Sequence, residues 1–400
     1  MSCPPDEALR SLLRQIEPVA AERVPLRGPI AGRVLAEPVV LDRDSPACDV
    51  SAMDGFVAAS ADLATGPLPI DGECLIGQPP APLPRGVARR IYTGCPIPEG
   101  ADTVLRLEHA SVVDGRVALG VGHHSPPAGA DIRCRGENGR AGAQLTPAGV
   151  ELGAAVMTAL ATVGPADVAV HRRLTVAVMT TGNELTSDAP PTADGLPPWR
   201  VRDSNGPALQ ALLSPVPWVH AVQLHHAADK LDDLTNRLRE AIEGADAVVL
   251  TGGVSKGAYD FVPEAAARVG AEEAFHRIAA RPGQPTFAAI AHGKPILGLP
   301  GNPLSVLCTG RRLLTPALRR RAGVAECDPA APTVTVSNWG DKALPLTWWR
   351  PVRLTSPGAA TIAASRGSGD VCGAATTDGF IQAPPESSGP GPYPFYSWRI

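Results

Sequence analysis

The sequence predicts a multidomain α/β protein organised around a parallel sheet. Three observations predict it. From about residue 172, apolar strands alternate with helical segments and glycine-bearing polar loops, the pattern of a parallel sheet covered on both faces. Between about 44 and 141 the texture differs: short apolar runs are separated by Gly, Pro and Asp, as in a small, mostly β unit. And 400 residues are too many for one small core. Aromatics are only 4%, so the cores must be built mainly from Ala, Val, Leu and Ile.

The elements follow in chain order. Residues 6–23 carry apolar positions at helical spacing behind an acidic start and read as a helix. Residues 30–41 read as a short helix and then an extended segment. The Ala-rich stretch 147–163 reads as a helix stopped by Gly164. If it packs back on the first helix, the β unit is an insertion in a helical frame. The expected domains are therefore 1–43 with 142–172 (helical), 44–141 (inserted, β-rich), 173–324 (α/β) and 325–400 (C-terminal, β).

Within the α/β part, a strand at 174–180 runs into the loop TGNEL. A helix at 205–213, a strand at 218–224 and a helix at 229–243 follow, with Asp229 as the expected N-cap of the last. A strand at 246–250 enters the loop TGGVSKG; then come a helix from about 260 and a strand at 295–300. After about 325, runs such as APTVTVSNW and TWWRPVRL predict a small β domain.

Composition excludes some functions. A net charge of −4 with interspersed signs argues against nucleic acid as the partner. No apolar run approaches the ~20 residues of a membrane span. No signal peptide is visible, and no two of the eight cysteines stand at CxxC spacing. A cytoplasmic protein with reduced thiols is expected.

Ligands of parallel sheets bind at the carboxyl ends of the strands. Two loaded loops fall there: TTGNEL with Glu184, and LTGGVSKGAYD with Gly252, Gly253, Ser255, Lys256, Gly257 and Asp260. The glycines let the backbone approach a ligand and offer N–H groups to an anion. RPGQP (281–285) and GLPGNP (298–303) fix stiff loops. SAMDGF holds Asp54, IYTGCPIPEGADTVLRLEH holds Thr93, Asp102 and Glu108, and RCRGENG holds Glu137. Each alone is equally compatible with a tight turn or hairpin.

As an ordered set, DVSAMDGFV, IYTGCPIPEGADTV, IRCRGENGRAG, MTTGNEL, VRDSN, VVLTGGVSKGAYDFV, RPGQP and LGLPGNPLS make the chain resemble the MoeA family, to which the C-terminal part of gephyrin is related. The resemblance spans nearly the whole length. It implies an elongated helical domain with a β insertion, a molybdopterin-binding α/β domain and a β-barrel-like C-terminal domain. It implies a homodimer whose active cleft lies between the α/β domain and the insertion of the other subunit.

The implied reaction inserts molybdate into molybdopterin-AMP and releases AMP, assisted by Mg²⁺. Implied partners are a molybdopterin adenylyltransferase and a recipient molybdoenzyme or chaperone. By resemblance, Glu184 and Asp260 serve metal and phosphate, with Asp229 behind them, while Asp54 and Thr93 serve the cleft from the insertion. The Gly252–Gly257 loop cradles phosphate. Pro300 and Pro303 fix the loop that holds molybdate or pterin. Arg350 and Ser368 match the family's anion-handling Arg and Ser, and Arg281 binds substrate where the family usually has lysine.

Three departures from the family pattern stand out: Asn138 and Asn183 where carboxylates are usual, and Arg281 with Gln284 in place of two lysines. They motivate a second reading, a molybdopterin-binding protein without catalysis that acts as carrier or sensor. Adenylation of molybdopterin and a gephyrin-like scaffold role are further alternatives.

Overall fold

The structure, a computed structural model, describes residues 2–186, 196–255, 257, 260–340, 342–364 and 367–399. The chain divides into two compact units, Met1–Glu37 with Ala148–Gly153 and Asp167–Ile400, and Pro38–Pro147 with Ala154–Ala166. The finer division into four domains remains our proposal.

The first unit is centred on a six-stranded sheet in the order Val219–Ala227, Leu174–Thr181, Ala247–Thr251, Lys294–Leu299, Phe287–Ala291, Glu272–His276. The first four strands are parallel, Phe287–Ala291 runs opposite to them, and Glu272–His276 pairs antiparallel with it, so the sheet is mixed. Phe287–Ala291 and Lys294–Leu299 form a hairpin closed by only His292 and Gly293, both at positive φ. That is the geometry of a tight two-residue turn. His-Gly is a weak turn signal and FAAIA is as Ala-rich as a helix, which hides this hairpin in the sequence.

The helix expected at 6–23 stops at Gln15, and a strand, Ala21–Pro25, follows and pairs with Asp167–His171. Pro18 disfavours helical geometry in the residue before it and donates no backbone hydrogen bond. Ala8, Leu9, Leu12 and Ile16 are buried in the same apolar cluster as Phe275, Ile278 and Leu318, so this helix packs on the sheet edge and on the helix Thr315–Arg321. No helix forms at 30–41, where only the short strand Val39–Val40 is found. The Ala-rich helix begins at Ala154 instead of 147. The frame expected to be helical is thus partly β.

The C-terminal segment closes a five-stranded barrel from Thr333–Val336, Thr347–Ser356, Ala359–Ile362, Gly379–Ala383 and Tyr393–Ser397. Val334, Val336, Val352, Ile381 and Phe395 fill it. The short strand Ala280–Arg281 adds to its outside, with Arg281 in register with Trp348. This pairing brings the RPGQP loop beside the barrel.

The second unit holds another six-stranded sheet, in the order Thr103–Arg106, Gly55–Ala58, Ala88–Ile91, Leu68–Glu73, Arg116–Leu119, Ala110–Val113. Phe56, Ala88, Leu105 and Val117 are buried on one side of it. Among the described residues no helix is long and apolar enough to cross a membrane.

Candidate active site

Two cavities of the first unit meet at the GLPGNP loop, and they differ in charge. The smaller, about 190 Å³, lies where the parallel strands Leu174–Thr181, Ala247–Thr251 and Lys294–Leu299 end. Glu184, Asp229 and Asp260 line it together with Asn205, Thr251, Gly252, Gly253 and Gly301, and no cationic side chain does among the described lining residues. The larger, about 690 Å³, lies between the 281–285 and 300–305 loops and the barrel. Arg281, Lys342 and Arg350 line it, and no carboxylate does among the described lining residues. Gln284, Pro300, Asn302 and Ser368 share its wall.

The acidic cavity is built from loop carboxylates held by local bonds. Asp229 does not cap the following helix, Leu231–Gly244, whose N-cap is Lys230. Its Oδ2 instead accepts from the backbone N–H of Asn183 at 2.9 Å, tying two loops together. The Asp260 Oδ2 accepts from the Gly257 N–H. The Gly252 N–H donates to Leu299 O at 3.0 Å. The amides of Gly252 and Gly257, expected to face an anion, are therefore engaged within the protein. The glycine at 252 is nevertheless required: its φ is +90°, and a Cβ there would meet Thr181 Oγ1 at 2.7 Å. Ser255 is exposed and does not line the cavity. Lys256 lies outside the described residues.

In the cationic cavity, Arg350 is the best-ordered charge. Its guanidinium lies 4.2 Å from the Trp348 ring and 4.8 Å from the Trp339 ring, and Nη1 donates to Trp339 O at 2.9 Å. Burial pushes its pKa below the usual arginine value, although a guanidinium stays charged throughout. Each desolvated cation–π contact is worth about 1–2 kcal/mol. The Lys342 Nζ lies 5.9 Å from the same Trp348 ring. Trp349, 1% exposed, forms the floor and donates from Nε1 to Gln382 Oε1 at 3.1 Å. Gly283, at φ +108°, lets the RPGQP loop sit against it, since a Cβ would meet Thr309 Cγ2 at 2.7 Å and the indole at 3.1 Å.

The GLPGNP loop separates the cavities. Gly301 faces the acidic one, and Pro300 and Asn302 face the cationic one. Asn302 Nδ2 donates to Ser368 Oγ at 2.8 Å. Pro303 lines neither; it occupies the first turn of the helix Pro303–Thr309, where its missing N–H costs nothing.

In the second unit, Asp54 and Thr93 come together with each other. Strand register sets Gly55 opposite Ile91 and so brings the flanking turns side by side. Asp54 Oδ1 accepts from the Thr93 N–H at 2.7 Å and from its hydroxyl at 2.8 Å. The backbone bond first, and the hydroxyl second, hold the Asp54 carboxyl below its usual pKa. Asn138 has a local role there: it accepts from Arg133 and donates from Nδ2 to Ser45 Oγ at 3.2 Å. An aspartate could not donate that bond.

Asn205 is a cavity residue that the sequence alone did not single out. It appears there only inside the VRDSN motif. A polar residue that opens a helix reads as a capping signal, and its burial is visible only in three dimensions.

The comparisons with known proteins agree with this architecture. A family model described as the MoeA N-terminal region (domain I and II) matches residues 3–164, and one described as a probable molybdopterin binding domain matches residues 177–320. The molybdopterin molybdenumtransferase of Staphylococcus epidermidis is 33% identical over 352 residues, covering 85% of this chain and 81% of its own. That of a Nostoc species is 36% identical over 306 residues, covering 74% and 68%. The solved structure of a molybdopterin biosynthesis MoeA protein from Pyrococcus horikosii superposes with a TM-score of 0.78 at 26% identity, covering 100% of both chains. The chain belongs to the MoeA family of molybdopterin molybdenumtransferases.

Proposed function

We propose that this protein inserts molybdenum into adenylated molybdopterin and releases AMP, the closing step of molybdenum cofactor biosynthesis. The observation that carries this reading is the segregation of charge across one shared loop: three carboxylates on one side, three cations on the other. The substrate joins a pterin dithiolene to a nucleotide through a phosphoanhydride, and the second substrate is an oxyanion. A protein handling both needs a site for a cation with phosphate and a separate site for a free anion.

Magnesium suits the acidic cavity by the chemistry of its donors. Glu184, Asp229 and Asp260 supply only hard oxygens. Among the described residues no group of three His, Cys, Asp or Glu side chains converges to hold a metal. A cation there would be held by one or two of these carboxylates and completed by substrate phosphate, the usual arrangement for Mg²⁺. Glu184 and Asp260 would hold it, and it would neutralise charge on the departing phosphate. The family's anion contacts fall to Arg281, Arg350 and Ser368 in the other cavity, where molybdate would wait beside the dithiolene. A homodimer in which Asp54 and Thr93 serve the other subunit's cleft, and a cytoplasmic location, belong to the same reading. So do an adenylyltransferase as supplier and a molybdoenzyme or chaperone as recipient.

The test is incubation with molybdopterin-AMP, Mg²⁺ and molybdate, following AMP and finished cofactor. Molybdate-dependent release with cofactor formed is expected, and Glu184→Gln or Asp260→Asn should lower it by a hundredfold or more, as for a lost transition-state contact. Tight binding without release would replace this reading with that of a carrier. ATP consumption without adenylated substrate would point to adenylation.

A further inference from the structure

Asn205 lines the acidic cavity and bonds the loop that divides it from the cationic one. It is 8% exposed and opens the helix Asn205–Leu213. Its Nδ2 donates to Gly301 O at 2.8 Å, with a longer contact to Thr251 Oγ1 at 3.5 Å. The amide orientation is fixed by this partner, because a flipped amide would set oxygen against a carbonyl. Its Oδ1 is buried and has no hydrogen-bond partner among the described residues. A buried unpaired acceptor is costly, and among the described residues the charged side chains that line this cavity are carboxylates, which accept and do not donate. A ligand in this cavity can supply the missing donor.

The other end of the amide holds the dividing loop. Gly301 is gripped by Asn205, and Asn302, one residue on, is gripped by Ser368 from the barrel side. Leu304 N–H donates to Ser368 O at 3.2 Å, which adds a backbone tie at the same place. Pro300 stiffens the stretch between the two cavities. A ligand that satisfies Oδ1 therefore fixes the side chain whose Nδ2 sets the position of the loop facing the anion.

We propose that Asn205 is a positioning residue that couples the cavities: an O–H or N–H donor of the bound nucleotide engages its Oδ1, and the Gly301 grip transmits that occupancy to the wall of the oxyanion site. This rests on the transferase reading and adds to it a route by which nucleotide occupancy and molybdate binding strengthen one another. Because coupling of binding is reciprocal, each ligand must tighten the other by the same factor.

The experiment is calorimetry on the full chain, with AMP plus Mg²⁺ and molybdate as the probes, each titrated alone and then against saturating amounts of the other. In the wild type each is expected to strengthen the other by about fivefold or more, the lower range of measured couplings. Asn205→Ala should weaken AMP, leave molybdate alone unchanged and bring the coupling factor to about one. Asn302→Ala, at an exposed position, keeps the test independent of any folding defect at 205. It should lower the coupling factor whatever it does to either affinity. Independent binding of both ligands to the wild type, or full coupling in both variants, overturns the inference while leaving the transferase reading standing. Failure of the wild type to bind either ligand overturns both.

Discussion

Asn183 and Asp229 hold each other from both sides. The Asn183 N–H donates to Asp229 Oδ2 at 2.9 Å, and the Asp229 N–H donates to Asn183 Oδ1 at 3.3 Å. This reciprocal clasp joins the ends of two neighbouring parallel strands at the rim of the acidic cavity. Arg200 adds a bond to the Asn183 carbonyl. An aspartate at 183 would keep the acceptor for Asp229 and add a negative charge beside Glu184 and Asp229. Asn183→Asp should therefore tighten Mg²⁺ by a factor of a few without disturbing the fold. For the same electrostatic reason the wild type should need more Mg²⁺ than a protein with a carboxylate there. Titration of AMP release with Mg²⁺ checks both statements. A low-micromolar requirement in the wild type, or no gain in the variant, would remove Asn183 from the metal side.

Much of this site was legible in the sequence because loop chemistry at the ends of parallel strands is written in short motifs. Glu184, Gly252 and Asp260 sit where strand and loop order put them. Asp229 was legible as a residue but not in its role, since nothing local distinguishes a helix cap from a clasp to a loop 46 residues away. The grouping of Arg281 with Arg350 was invisible, because it depends on a two-residue strand added to the outside of a barrel. Asn205 was hidden for a different reason. An unsatisfied acceptor is a property of what surrounds it, and no spacing encodes it. The separate charge of the two cavities was likewise hidden, because acids and bases are interspersed along the chain and separate only on folding.

The Asp54–Thr93 pair makes a prediction about pH. The Thr93 backbone bond and then its hydroxyl favour the ionised carboxylate in the folded protein. A depressed carboxyl contributes stability that is present above its unfolded value of about 3.9 and lost as pH falls through the folded value. Thr93→Ala removes the hydroxyl bond and keeps the backbone one. The Asp54 carboxyl should then titrate closer to the ordinary range in a carbon-detected NMR experiment. The stability difference from the wild type should be present at neutral pH and vanish in acid. An unmoved Asp54 titration would show that the hydroxyl bond is not formed in solution.

Asp246 predicts the largest effect on stability. It is 3% exposed and leads into the strand Ala247–Thr251. Burial opposes its ionisation, but Arg172 at 2.8 Å, the Thr175 N–H at 2.9 Å and the charge of Arg321 outweigh that and hold its pKa below the usual value. Removing one partner of a buried ion pair leaves the other charge uncompensated, at a typical cost of 3–5 kcal/mol. Arg172 is partly exposed, so Asp246→Asn should lose about 3 kcal/mol in urea unfolding at neutral pH. The loss should shrink as pH falls through the folded pKa, because the wild-type carboxyl is then neutral as well. A neutral-pH loss under about 1 kcal/mol would show that Arg172 and Arg321 find water or other partners readily.

Arg350 separates anion recognition from simple positive charge. Its guanidinium stacks against Trp348 and Trp339 while Nη1 bonds the Trp339 carbonyl. A lysine at 350 keeps the charge but has no plane to stack and no fork to share between a carbonyl and an anion. Arg350→Lys should therefore weaken molybdate by about tenfold, the loss of one charge-assisted bond. AMP affinity in the other cavity should stay unchanged. Gln284→Lys, which adds a cation to the same wall, should shift molybdate the opposite way. If Arg350→Lys binds molybdate as the wild type does, the cavity recognises net charge alone and the tryptophan wall has no part in selecting the anion. If Gln284→Lys tightens molybdate without raising turnover, then anion affinity does not limit the enzyme, and the glutamine is a tolerated departure from the family pattern.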